Sequence, residues 1–125
     1  MNQRIILILA GLSGALAVGL GAFGAHALKV MLEANGRVNT FEMAVRYHFF
    51  HTLALLAAGI LTEKFPATKY AALLFSLGTL IFCGSLYALA FTNQPWWGAI
   101  TPLGGVALIG GWLSLGWCVY KNHKG

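Results

Sequence analysis

Four long apolar stretches, at 5–28, 43–61, 69–91 and 100–120, take up most of this chain of 125 residues. A helix crosses roughly 30 Å of hydrocarbon with about 20 residues, so each stretch is long enough to span a bilayer. Backbone that crosses lipid must satisfy its own hydrogen bonds, and runs without strand alternation do so as helices. We therefore expect an all-α polytopic membrane protein, a single domain over 1–125 folded as an antiparallel bundle of four transmembrane helices. With 58% hydrophobic and 9% charged residues, the composition excludes an ordinary soluble domain and a disordered chain. The eight Lys and Arg are scattered among the ends of the runs, so the net charge of +5 does not form a nucleic-acid surface.

The ends of the runs carry their own signals. The first contains small-x-small tripeptides that imitate a signal-peptidase site, but it exceeds the usual 7–15-residue secretory core and is read as a retained span. Its helix is expected to continue to Ala34, where Asn35-Gly36 supplies a left-handed residue. The second helix is expected to begin at Asn39, capped by that side chain with Glu42 reaching back. Thr62 to Pro66 interrupts it, and a third helix extends from about Ala67 to Phe91. The fourth is expected to use Thr101 as its cap with Pro102 in the first position, after an interfacial Trp96-Trp97 pair.

Four spans place both termini on one side. Arg4, Lys64, Lys69, Lys121 and Lys124 lie there, against Lys29, Arg37 and Arg46 opposite, so the positive-inside rule predicts cytoplasmic termini. Cys83 and Cys118 fall at different depths in their runs and are not expected to pair.

Apolar burial does not drive helices together in lipid, so small residues at four-residue spacing are the packing signal. Ser13, Ala17, Gly21 and Ala25 form one ridge of the first helix, and Gly11, Ala15 and Gly19 a second. Gly84 lies on a comparable grid in the third helix, with Ser76 and Ala88, and Gly104, Gly105, Gly110 and Gly111 mark the fourth.

Ionisable residues inside a span are costly and default to functional hypotheses. On the expected topology His26, His48 and His51 reach similar depth near the outer ends of their helices. Arg46, Tyr47, Thr52, Ser85, Tyr87 and Thr101 join them, leaving the inner half apolar. Two axial imidazoles from facing helices could hold a haem, using His26 with either partner, and a quinone or lipid headgroup could be held by His26, His51 and Tyr87. The simplest expectation is that these groups bond one another and fix the register. Arg46 is expected to pair with Glu42 one turn earlier. The chain has no Asp to orient a histidine, which disfavours nucleophilic hydrolysis. Gly19-Leu20-Gly21-Ala22-Phe23-Gly24 matches a nucleotide-loop pattern only in letters, since no strand precedes it.

Gly21-Ala22-Phe23-Gly24-Ala25-His26, Tyr47 with His51-Thr52-Leu53-Ala54, Gly84-Ser85-Leu86-Tyr87 and Thr101-Pro102-Leu103-Gly104-Gly105 with Gly111-Trp112 together give a specific pattern. In these residues the chain resembles the domain of unknown function 423 family, small bacterial inner-membrane proteins related to transmembrane protein 256. The resemblance implies a four-span plasma-membrane protein and brings no catalytic activity with it. It also implies that the position of His48 is often glutamine, which favours His26, Tyr47, His51 and Tyr87 as pocket residues.

The function expected from the sequence is a non-enzymatic scaffold or accessory subunit. It would need no metal or other cofactor, and would pack in the bilayer with itself or other membrane subunits. The alternatives are a small-molecule binder using the outer polar cluster, and an oligomeric transporter or channel.

Overall fold

In the computed structural model, which describes residues 1–122, the first helix, α1 (Gln3–Ala25), starts where the Asn2 side chain accepts the Ile5 N–H at 2.9 Å. It stops earlier than the sequence implies. His26 leaves helical geometry at φ −123° and ψ −80°, and the Leu28 N–H reaches back to the Phe23 carbonyl at 2.9 Å. Neither glycine nor proline marks this bend, whose benefit is tertiary. It lets a short second helix, α2 (Lys29–Asn35), fold Leu32 onto Phe41 and Ala90. Gly36 then ends α2 at φ +66°, as expected from Asn35-Gly36.

The next helix, α3 (Val38–Leu61), begins one residue before Asn39, and Arg37 occupies the cap without a side-chain bond, so the expected Asn39–Glu42 capping box does not form. What fixes this end is a tertiary bond from Arg37 Nε to Asn93 Oδ1 at 2.8 Å. α4 (Thr68–Thr92) starts with a fully buried Thr68 whose hydroxyl faces the Ala58 and Phe65 carbonyls, and ends at Asn93 in the left-handed region. A 3₁₀ turn, Pro95–Ala99, stacks Trp96 on Trp97 and leads into α5 (Thr101–Lys121). Ile100, rather than Thr101, is the cap of α5, because the Thr101 hydroxyl is used elsewhere. Lys124, one of the basic residues sorted by side, lies outside the described residues.

Four helical segments, Gln3–Ala25, Val38–Leu61, Thr68–Thr92 and Pro95–Lys121, are long and apolar enough to cross a membrane. Neighbours run antiparallel: Gly59 meets Ile6 while Gly24 meets Phe41, and Gly111 meets Phe75 while Gly104 meets Phe82. The order is α1, α3, α4, α5, with α1 packed chiefly on α3 and α5 chiefly on α4. The main core, built on Phe75, Ile6, Leu55 and Leu108, therefore sits around α3 and α4. α1 is an edge, with 17% of its span buried against 44% for α3 and for α4. Cys83 and Cys118 are buried free thiols.

Candidate functional site

His48 and His51 stand three residues apart on α3, only 4% and 7% exposed. Ten residues separate His48 from the start of α3, which at 1.5 Å per residue is about 15 Å. The pair thus sits near the middle of Val38–Leu61, not near the outer end of the helix as the sequence suggested.

Both ring nitrogens of His48 are engaged. Nδ1 lies 2.9 Å from the Tyr87 hydroxyl on α4, and Nε2 lies 3.0 Å from the Ser13 hydroxyl on α1, which in turn meets Thr52 Oγ1 at 2.6 Å. Neutral imidazole carries one N–H, so it donates at one end of this row and accepts at the other. Hydroxyls can reverse, so the row has two senses. Either way it fastens α1, α3 and α4 at one level.

His51 has a single sense. The Trp112 indole N–H on α5 donates to His51 Nε2 at 3.1 Å, and His51 Nδ1 lies 2.9 Å from the Tyr47 carbonyl. Indole nitrogen only donates and a carbonyl only accepts, so the proton is on Nδ1 and the ring is neutral. The Trp112 ring meets His51 and Phe75 edge-on, with centroids 5.9 and 5.0 Å apart, so an aromatic wall surrounds the bond. The link joins α3 to α5 across α4.

A groove of about 290 Å³ opens beside this cluster between α1, α3 and α4. Leu9, Leu12, Leu16 and Leu80 wall it, and Ser13, His48 and Tyr87 line its polar part. Among the described residues no three His, Cys or acidic groups gather to hold a metal, and no buried side-chain polar atom is left without a partner. A ligand there must compete with bonds already made.

The expected outer cluster is divided. His26 is exposed in the bend after α1, thirteen residues or about 20 Å of helix from Ser13, so it cannot face His48 or His51 across a haem. Ser85 and Thr101 form a separate pair near the Trp96 turn: Ser85 donates to the Phe82 carbonyl at 2.9 Å and accepts from Thr101 at 2.6 Å. Tyr47, 37% exposed, stacks on Phe82 and, at 5.9 Å between centroids, on the His51 ring, while its carbonyl meets His51 Nδ1. Arg46 is exposed and lines a cleft with Glu42, but the expected ion pair between them does not form among the described residues.

The packing residues divide similarly. Ala17 is buried, Gly21 faces Val45 on α3, Ala25 lines the cleft, and Ser13 is a polar tie instead of a spacer. Gly104 and Gly111 sit directly on α4, Gly105 touches the Phe82 ring, and Gly84 faces open space. The second α1 ridge meets nothing at Gly11 or Gly19. Sequence reasoning missed the close approaches at Gly24, Gly59 and Gly78, which lie off the four-residue rows, and it missed Trp112 as a site residue. An indole N–H in mid-span, which needs an acceptor, was the available signal.

Residues 20–105 match the family described as Protein of unknown function (DUF423). The chain is 37% identical to the UPF0382 inner membrane protein YgdD of Escherichia coli K12, over all of this chain and 97% of that protein. It is 45% identical to the UPF0382 membrane protein SSP2132 of Staphylococcus saprophyticus, over 90% of this chain and 94% of the relative. For the UPF0382 membrane protein YwdK of Bacillus subtilis the identity is 38%, with the same two coverages. No solved structure matches.

Proposed function

Because the chain belongs to the DUF423 family, whose relatives named above are membrane proteins without a stated activity, we propose that it is a non-enzymatic accessory or scaffold protein of the inner membrane. It acts by docking the free edge of α1 against another membrane helix. One observation carries this reading. α1 has small residues on two faces, and only one face is occupied: Gly14 and Gly21 meet α3, while a side chain at Gly11 or Gly19 would meet nothing within 4 Å. Such ridges allow the backbone approach that holds helices together in lipid. The histidines fit a structural role, since their ring nitrogens already bond to Ser13, Tyr87, Trp112 and the Tyr47 carbonyl.

A photoreactive side chain in place of exposed Ala15 tests the edge in native membranes. Protein adducts that disappear on Gly11→Leu with Gly19→Leu are expected. Adducts to lipid alone would overturn the reading. Gly21, which already faces Val45, is unsuitable for this test.

The orientation we propose has both termini cytoplasmic, supported by the excess of basic residues at that end of the helices. A carboxy-terminal fluorescent fusion should be bright, and an alkaline phosphatase fusion inactive. A second reading, a lipophilic ligand such as a quinone held beside His48, is favoured only by the 290 Å³ groove. A ligand mass in native spectra that is lost on His48→Ala would support it. The transporter reading gains nothing from the His48 row, which runs sideways between helices rather than along them.

A further inference from the structure

A second cleft, of about 470 Å³, opens where the end of α1, the short helix α2 and the start of α3 meet, away from His48 and His51. Its volume falls within the range of about 300–1,000 Å³ common for small-ligand sites. The floor is apolar, made by Gly21 and Gly24 of α1 with Phe41 and Val45 of α3. Four charged residues line it. Lys29 and Glu33 come from α2 and Glu42 and Arg46 from α3, so each helix contributes one base and one acid a turn apart. That spacing favours pairing within each helix, yet no ion pair or side-chain hydrogen bond joins any of the four among the described residues.

A cleft with two cations, two carboxylates and an apolar floor, at the end of an edge span, asks for a neutral partner that carries both signs and an apolar body. All four are exposed, so a charge left unmatched stays hydrated, and an anion or a cation would engage only half of the set where a zwitterion engages both signs. We propose that this cleft binds the head of a zwitterionic phospholipid with a primary ammonium, of the phosphatidylethanolamine type. Arg46 and Lys29 take the phosphate, and Glu33 and Glu42 take the ammonium N–H groups. The apolar floor of Phe41 and Val45, seated on Gly24 and Gly21, faces the start of the acyl chains. The inference is independent of the edge-docking reading, because Gly11 and Gly19 lie on a different face of α1.

The test is native mass spectrometry of the full chain taken from nanodiscs containing equal amounts of phosphatidylethanolamine, phosphatidylcholine and phosphatidylglycerol with matched tails. The expected result is retention of phosphatidylethanolamine over each of the others by roughly three- to tenfold, the range for two exposed charge pairs. Phosphatidylcholine lacks ammonium N–H donors and phosphatidylglycerol lacks the cation. Glu33→Gln with Glu42→Gln should turn the preference toward phosphatidylglycerol, and Arg46→Gln alone should lower retention of all three. Arg46 is exposed, so that variant keeps the test available if the double change does not fold. Lipids held in the proportions supplied, or a preference that both variants leave unchanged, would overturn the proposal. Displacement of the lipid by millimolar water-soluble phosphoethanolamine would overturn it as well, by showing a site for a free metabolite.

Discussion

The seam between α4 and α5 and the seam between α1 and α3 join antiparallel helices of similar length by different means. At the first, backbone meets backbone. A Cβ added at Gly104 would lie 2.7 Å from Phe82 Cα, and one at Gly78 would lie 3.0 Å from the Leu108 nitrogen. At the second, added atoms meet only side chains: Thr52 and Val45 at 3.5 and 3.4 Å from Gly14 and Gly21, and Phe41, Ile6 and Leu7 more tightly at Gly24 and Gly59. The α1 seam instead has polar ties, from Ser13 to Thr52 and His48 and from Gln3 Nε2 to the Gly59 carbonyl at 3.1 Å. Lipid offers no hydrophobic reason for two helices to adhere, so close contact and hydrogen bonding are the remaining means: the α4–α5 seam relies mainly on the first, with the Ser85–Thr101 bond at one end, and the α1 seam relies mainly on the second.

The contrast can be broken by substitution. Gly104→Leu should be the most damaging change, costing about 3 kcal/mol or more because the Phe82 backbone cannot yield, whereas Gly14→Leu has side chains that can move. Denaturation in mixed micelles measures both, and equal losses would erase the distinction. His48→Ala should cost about 2 kcal/mol, since it leaves the Tyr87 and Ser13 hydroxyls without their ring partner and opens a void. Trp112→Phe removes the indole N–H and, because benzene is smaller than indole, some of the packing on His51 and Phe75, so about 1.5 kcal/mol is expected. A double-mutant cycle of Ser13→Ala with His48→Ala should give a coupling near 0.6 kcal/mol, and a value of zero would mean the α1 seam does not depend on its polar row. Gly11→Ala, which meets no neighbour, should stay within about 0.5 kcal/mol of the parent.

The seams differ in how far the sequence announces them. Gly104 and Gly111 are legible because a steric requirement leaves a composition signal at helical spacing, and Gly36 is legible because Asn-Gly is itself a backbone instruction. The α1 seam is harder to read. Ser13 looks like another small residue on a ridge, and nothing nearby in sequence says that its hydroxyl meets a histidine 35 positions away. The start of α3 is hard to read for a related reason: Arg37 is held by Asn93 across the bundle, a tertiary cap that replaces the local Asn39 signal. The bend at His26 follows from Leu32 finding Phe41 and Ala90, and so cannot be seen in residues 26–28 alone.

The order α1, α3, α4, α5 also bears on how the chain is made. Each span after the first packs on the one synthesised just before it, so the antiparallel pairs can close in sequence as they leave the insertion machinery. The bond from Trp112 to His51 bypasses this order, reaching from the last span to the second. It can form only once the fourth span has entered the bilayer, which makes it the latch that closes the four-helix bundle.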